Sequence, residues 1–115
     1  MEPEKPSARL TIHLSASAMW HHRPAYTEIV HRAHAQGLSG ASVLHGIEGY
    51  GAHMTVHHDK PSRLRGHGPC AIIVVETEDR LRAFLDTLED ILSVNGVAVL
   101  DTVLIHRPAH EIALP

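Results

Sequence analysis

Gly37-Leu-Ser-Gly-Ala-Ser-Val-Leu-His-Gly-Ile-Glu-Gly-Tyr-Gly51 is the stretch that decides the fold. Gly37 follows a helical pattern and supplies its stop, because glycine takes the left-handed C′ conformation without a steric penalty. Ala41 to Ile47 then reads as a strand. Gly46, Gly49 and Gly51 end that strand and open a segment, Glu48 to Pro69, that has no hydrophobic period. So long a connection inside a small domain is usually functional or disordered. Met54 to His58 within it is expected to extend a strand into a hairpin arm.

Upstream, Arg9-Leu-Thr-Ile-His-Leu-Ser15 alternates polar and apolar residues, the period of a half-buried strand. Ser15 to Arg23 is a connector. Pro24 suits the first turn of a helix, and Tyr26, Ile29, Val30 and Ala33 recur along one helical face. Downstream, Cys70-Ala-Ile-Ile-Val-Val75 is continuously apolar and β-branched, as in a strand covered on both faces. Thr77 is the expected cap of a second helix, with Glu78 and Asp79 in its first turn. That helix is predicted to carry Leu81, Phe84, Leu85, Leu88, Ile91 and Leu92 on one stripe. Asn95-Gly96 turns the chain into a last strand, Val97 to His106.

The order is β-α-β, long loop, β-α-β. It predicts an α+β, ferredoxin-like sandwich with both helices on one face of an antiparallel sheet. Residues 1–7 are read as a flexible leader, 8–107 as the domain and 108–115 as a tail. Val97, Val99, Val103 and Ile105 on one side of the last strand, with Ala98, Leu100 and Leu104 on the other, leave the uncovered sheet face apolar. A large apolar patch is unstable in water, so copies of the chain are expected to cover one another as a homo-oligomer.

Composition narrows the function classes. The chain has 115 residues, enough for one modest core, and aromatics are only 3%, so the core must be aliphatic. Net charge is −3 with histidine neutral, which argues against general nucleic-acid binding. The 12 histidines can reverse that sign near neutrality. No apolar run reaches the ~20 residues needed to cross a bilayer, and the first residues lack a secretory h-region. One cysteine, Cys70, excludes an internal disulfide. A cytoplasmic protein is expected, without direct membrane insertion.

The residues resemble the PII-like family known as domain of unknown function 190. The resemblance spans roughly residues 8 to 107. It rests on Arg9-Leu-Thr-Ile-His13, His22-Arg-Pro-Ala-Tyr-Thr-Glu-Ile-Val30, the Gly37–Gly51 stretch, and Thr77-Glu-Asp-Arg-Leu81 with Phe84-Leu85. It implies a PII-like homotrimer that binds an adenine nucleotide in intersubunit clefts. It further implies that residues 48–69, as a T-loop, control a partner such as a membrane transporter or fluoride channel. No cofactor is required. On this reading Gly46, Glu48, Gly49, Tyr50, Gly51 and Arg107 form the nucleotide site. Two departures weaken the phosphate end. The connection Ser93 to Gly96 lacks the glycine- and lysine-rich loop of PII proteins, and Ser15-Ala-Ser17 stands where the family commonly has an acid. Arg9, Arg23 and Arg107 are the remaining candidates for one phosphate, so a monophosphate or phosphate-poor ligand suits the chain better than ATP.

Other readings stand beside it. The glycines serve a plain turn equally well. His53, His57, His58 and Asp59, with His67, are a candidate zinc set, giving a metal-binding or metal-sensing protein as the alternative, but a metal needs a rigid scaffold. His13 and His45 read as packed interface histidines, or at His13 as a proton-sensitive seam. Cys70 reads as a small core hydrophobe. Trp20 and Tyr50 suit either core filling or base stacking. No nucleophile–base–orienter set is present, so no enzyme is expected.

Overall fold

Alternation builds the central strand. In β1 (Ser7–Ser15), Ala8, Leu10, Ile12 and Leu14 are buried while Arg9 and His13 are exposed. This is the period of two that a sheet covered on one side demands. The computed structural model describes residues 6–49, 57–58 and 68–106. After β1 come β2 (Met19–Trp20), β3 (Arg23–Pro24), α1 (Ala25–Ala35) and β4 (Ser42–His45). They are followed by β5 (Glu48–Gly49), β6 (His57–His58), β7 (Pro69–Thr77), α2 (Glu78–Asp86), α3 (Glu89–Asn95) and β8 (Gly96–Val103).

The main sheet has the order β4-β7-β1-β8 with every neighbouring pair antiparallel. Each β-α-β unit skips one strand, so the two units interleave, as the ferredoxin-like reading requires. One core joins the sheet to all three helices: Leu10, Ile12, Ile72 and Val74 meet Ile29, Leu81, Phe84, Leu88 and Ile91. The single phenylalanine is fully buried among aliphatics.

α1 stops as expected. Gly37 takes φ +72°, its N–H donates to the His34 carbonyl (3.1 Å), and the Leu38 N–H donates to the Ala33 carbonyl (3.1 Å). That pair of bonds is a Schellman closure. Arg80 caps the same end, with Nη2 on the carbonyls of Gly37 (2.8 Å) and Gln36 (3.3 Å).

Several boundaries differ from the sequence reading, each for a local reason. β4 covers only Ser42–His45, not Ala41 to Ile47. Its partner β7 begins at Pro69, which has no N–H to continue the ladder. β8 ends at Val103 rather than His106, because Val103 pairs with Ser7 and the next partner would be Pro6. Leu104 is left 98% exposed. The second helix is two helices. The Thr87 hydroxyl donates to the Phe84 carbonyl (2.6 Å) at the break, the kind of side-chain bond that competes with a helix. Leu88 nevertheless stays fully buried, so the apolar stripe runs through the interruption. Thr77 holds the N-cap position of α2, but its hydroxyl makes no cap bond and is buried without a partner. The Glu78 N–H donates instead to the Pro6 carbonyl (2.9 Å). The expected turn at Asn95-Gly96 is absent, and α3 runs directly into β8. The connector after β1 folds into a two-residue hairpin, β2–β3, with His21 (φ 46°) and His22 (φ 74°) both left-handed.

The third long strand, β7, is covered on one side only. Cys70, Ile72 and Val74 are buried, whereas Ala71, Ile73 and Val75 are half-buried on the open face. The register sets them beside Ser42 and Leu44 of β4, Arg9, Thr11 and His13 of β1, and Val97, Val99 and Asp101 of β8. Leu44, Val97 and Val99 are exposed there. The apolar open face inferred from the sequence is therefore present.

Candidate functional site

The long segment between β4 and β7 is anchored at both ends. The Gly46 N–H donates to the Pro69 carbonyl (2.7 Å), and the Ala16 N–H donates to the Gly68 carbonyl (2.9 Å). Gly46 has a packing reason to lack a side chain: an added Cβ would lie 2.8 Å from Pro69 Cγ. Just beyond, β5 and β6 pair antiparallel, with Glu48 opposite His58 and Gly49 opposite His57. The arm expected from Met54 to His58 otherwise lies outside the described residues.

A recess of about 220 Å³ lies at these anchored ends. His13 of β1, Leu44, His45 and Gly46 from the end of β4, and Pro69, Cys70 and Ala71 of β7 line it. Its walls are mainly apolar, with two imidazoles as the polar groups. His45 is held edge-to-face against Tyr26 of α1, ring centroids 5.3 Å apart. Cys70 is buried, and burial pushes its thiol up to about 11, so it stays protonated at neutral pH and is a poor nucleophile.

Of the residues expected to hold a nucleotide, Gly46 lines the recess and Glu48 and Gly49 form β5 at the arm's base. Tyr50, Gly51 and Arg107 lie outside the described residues. Of the expected metal set, His57 and His58 form β6, while His53, Asp59 and His67 lie outside the described residues. Among the described residues no three of His, Cys, Asp or Glu converge as a metal site would require.

The two arginines proposed for a phosphate in the described region are already occupied. Arg9 pairs with Asp101, Nη2 to Oδ2 at 2.8 Å and Nε to Oδ1 at 3.3 Å. Arg23 is bound to Glu28. With α3 leading straight into β8, there is also no loop there to cradle phosphates. Trp20 is half-buried against the core, 5.5 Å beneath the Arg32 guanidinium and edge-on to His21 at 4.6 Å. Core filling is its observed role.

Sequence reasoning missed the two polar clasps that fix this frame. Arg32 binds Glu28 (2.7 Å), Asp90 (2.9 and 3.2 Å) and the Thr87 carbonyl (2.8 Å), fastening α1 to the α2–α3 junction. Arg23 and then Arg32 hold the Glu28 carboxyl below the usual carboxylate range. Glu76 accepts from the Ser39 N–H (3.0 Å), the Thr77 N–H (3.1 Å) and Arg80 (3.0 Å), fixing the α1–β4 connection to α2. The only local signals were the i,i+4 spacings Glu28–Arg32 and Glu76–Arg80.

Known proteins share this architecture. CPII of Thiomonas intermedia K12, a nitrogen regulatory PII-like protein solved with ADP, AMP and bicarbonate, superposes with a TM-score of 0.64 at 16% identity, covering 90% of this chain and 96% of its own. A protein of Thermus thermophilus described as PII-like and signaling matches at 0.62 and 14% identity, covering 86% and 88%. The divalent ion tolerance protein CutA1 of Ehrlichia chaffeensis matches at 0.58 and 12% identity, covering 91% and 88%. At these identities the likeness is one of fold, and that fold is PII-like. In sequence, a UPF0166 protein of Aquifex aeolicus (strain VF5) is 29% identical over 94 residues, 82% of this chain and 88% of that protein. The model of domain of unknown function 190, described as an uncharacterized ACR, matches residues 7–105, and the chain belongs to that family.

Proposed function

We propose that this protein is a PII-like regulator that assembles as a homotrimer, binds a small adenine nucleotide between copies, and signals through the 48–69 arm. The observation that carries the reading is the recess at the arm's root. It touches both ends of the arm, at Gly46 and Pro69, and it opens near an apolar sheet face that a second copy can cover. At about 220 Å³ it falls below the ~300 Å³ at which small-molecule pockets usually begin. A neighbouring copy would complete it. CPII, which shares the fold, was solved with ADP and AMP. The nucleotide set on this reading is Gly46, Glu48, Gly49, Tyr50, Gly51 and Arg107. The effector biases the arm by binding its two states unequally, and the arm presents or hides a surface for a transporter or channel protein. The protein acts in the cytoplasm and turns nothing over.

Calorimetry with AMP, ADP, ATP, cyclic nucleotides and zinc tests the reading. Nucleotide binding that is lost in Gly49→Trp supports it, and no nucleotide heat at any concentration refutes it. Because Arg9 and Arg23 are paired, ATP should bind no tighter than AMP. The metal-sensor alternative draws on the register of β6, which brings His58 opposite Glu48. Zinc binding abolished by His57→Ala with His58→Ala, in the absence of nucleotide binding, would favour it. A pull-down comparing wild type with a chain lacking residues 52–67 tests the arm as the partner surface.

A further inference from the structure

We propose that His45 is a ligand-contacting residue of the recess, reading the edge of the base, and that Tyr26 of α1 is the positioning residue that aims it. The inference rests on the nucleotide reading above and deepens it, because neither residue belongs to the set named there. His45 lines the recess and ends β4, opposite Cys70 of β7. Residues directly opposite on paired strands share one face of the sheet. Cys70 is buried in the core, so His45 stands on the helix-covered side, whereas Leu44 stands on the open side. The recess touches both, and so reaches both sides of the sheet at the end of β4.

His45 is held from two directions. Tyr26 meets its ring edge to face, with centroids 5.3 Å apart and planes at 90°. Tyr26 is itself packed against the core, and Ala25 and Ile29 of the same helix are buried. The helix is fastened in turn: the Ala25 N–H donates to the Ala18 carbonyl (2.8 Å), and Arg32 binds Asp90 (2.9 Å). On the strand side, the Gly46 N–H donates to the Pro69 carbonyl (2.7 Å) and fixes the backbone next to His45. An aromatic pair in this geometry contributes beyond its buried area. Here that contribution keeps the imidazole in one orientation. A polar group ordered before the ligand arrives spares the complex that ordering cost.

The part of the ligand that His45 meets follows from its neighbours. Leu44, Pro69 and Ala71 give the recess aliphatic walls. A phosphate pressed against them gives up water for surfaces that cannot hydrogen-bond, which is costly, whereas the faces of a purine are apolar. The edge of adenine alternates acceptor and donor, N7 and the 6-amino group. A neutral imidazole carries one acceptor and one donor nitrogen and can meet either. The recess thus seats the base against its aliphatic walls, with His45 at the base edge, and leaves the phosphates outside. Affinity is then set by the nucleoside rather than by its phosphates.

Calorimetry of the full chain with adenosine and with AMP tests this, on wild type, His45→Leu, Tyr26→Phe, Tyr26→Leu and the double variant His45→Leu with Tyr26→Leu. Far-UV circular dichroism and thermal melts confirm that each is folded, and Tyr26→Met stands in where Tyr26→Leu is not. Adenosine should bind wild type about as tightly as AMP. His45→Leu should weaken both alike, by ~10-fold. Tyr26→Leu should weaken both by ~3–10-fold, and Tyr26→Phe, which keeps the ring, should bind as wild type does. The double variant should be no weaker than His45→Leu alone, because Tyr26 acts through His45. Heat with AMP and none with adenosine overturns the inference and leaves the nucleotide reading standing. So does a His45→Leu chain that binds as wild type, or one weakened for AMP alone. A Tyr26→Leu loss that adds in full to that of His45→Leu, or a Tyr26→Phe chain as weak as Tyr26→Leu, removes the positioning role. No heat from either ligand on wild type overturns the nucleotide reading and this inference with it.

Discussion

Replacing Glu76 by glutamine should loosen the connection that positions β4, and with it one wall of the recess. The carboxylate is 11% exposed and accepts three hydrogen bonds, from the Ser39 and Thr77 backbone N–H groups and from Arg80. An amide offers one accepting oxygen, so its NH2 must face at least one of those donors. The Ser39 and Arg80 donors are exposed and the Thr77 N–H is part-buried, so leaving one unpaired costs toward the lower end of about 1–3 kcal/mol, and the remaining bonds lose their charge assistance. Together the loss should be about 1–2 kcal/mol, or about 5–12 °C in Tm for a domain of this size. The pH dependence follows from the carboxyl. Burial pushes its pKa up, but the Thr77 and Ser39 N–H groups and Arg80 outweigh that and hold it below its usual value. A depressed acid stabilises the fold fully above its unfolded pKa, about 4.3, and the contribution disappears as pH falls through the native value. Urea melts of wild type and Glu76→Gln at fixed protein concentration should therefore differ most near neutrality, and the difference should shrink in acid. A difference below about 0.5 kcal/mol at neutral pH, or one that does not narrow between about pH 5 and about pH 3, refutes the assignment.

Other substitutions probe the frame around the recess. Gly37→Ala forces a Cβ into φ +72°, where its nearest neighbour, Arg80 Nη2, is an ordinary 3.7 Å away. The loss is thus conformational, about 1 kcal/mol in thermal melts, and smaller for Gly37→Asn. Gly46→Ala must displace the Pro69 ring, since the new Cβ would sit 2.8 Å from Cγ. It should cost about 1–3 kcal/mol and weaken nucleotide binding in calorimetry. Cys70, with its thiol held at about 11 by burial, should resist iodoacetamide at neutral pH until denaturant exposes it. Rapid labelling of the native protein would contradict the buried position.

The elements that could be read from sequence are those whose own residues carry the period. Leu10, Ile12 and Leu14 announce β1, and the stripe from Leu81 to Leu92 announces the helical cover of the sheet. That stripe also hid the break at Thr87, because Leu88 remains in phase with it while a side-chain bond interrupts the backbone pattern. Two-residue ladders such as β2–β3 and β5–β6 are too short to show any alternation. Strand ends were misplaced where the partner, not the strand, ran out: Pro69 limits β4 and Pro6 limits β8. The same cause bears on the arginines considered for a phosphate. Arg9 looks free along the chain, yet its counter-ion, Asp101, is 92 residues away. Gly46 was visible as a glycine, but its clash with Pro69 exists only once β4 and β7 have paired.

The recess, the anchored ends of the segment between β4 and β7, and the open face converge on one end of the β1–β7 pair. His13 is part of both the recess wall and the face that a second copy would cover. Pro69 is part of the recess wall and accepts the Gly46 N–H at the start of the segment between β4 and β7. A ligand in the recess would therefore contact a group that assembly would bury and the residue to which the start of the 46–69 segment is bonded, with no intervening chain of contacts needed. Linkage then sets a constraint: whatever factor the ligand adds to the association of copies, association must add the same factor to the ligand's affinity. If the site is completed only between copies, ligand binding and association act on one equilibrium.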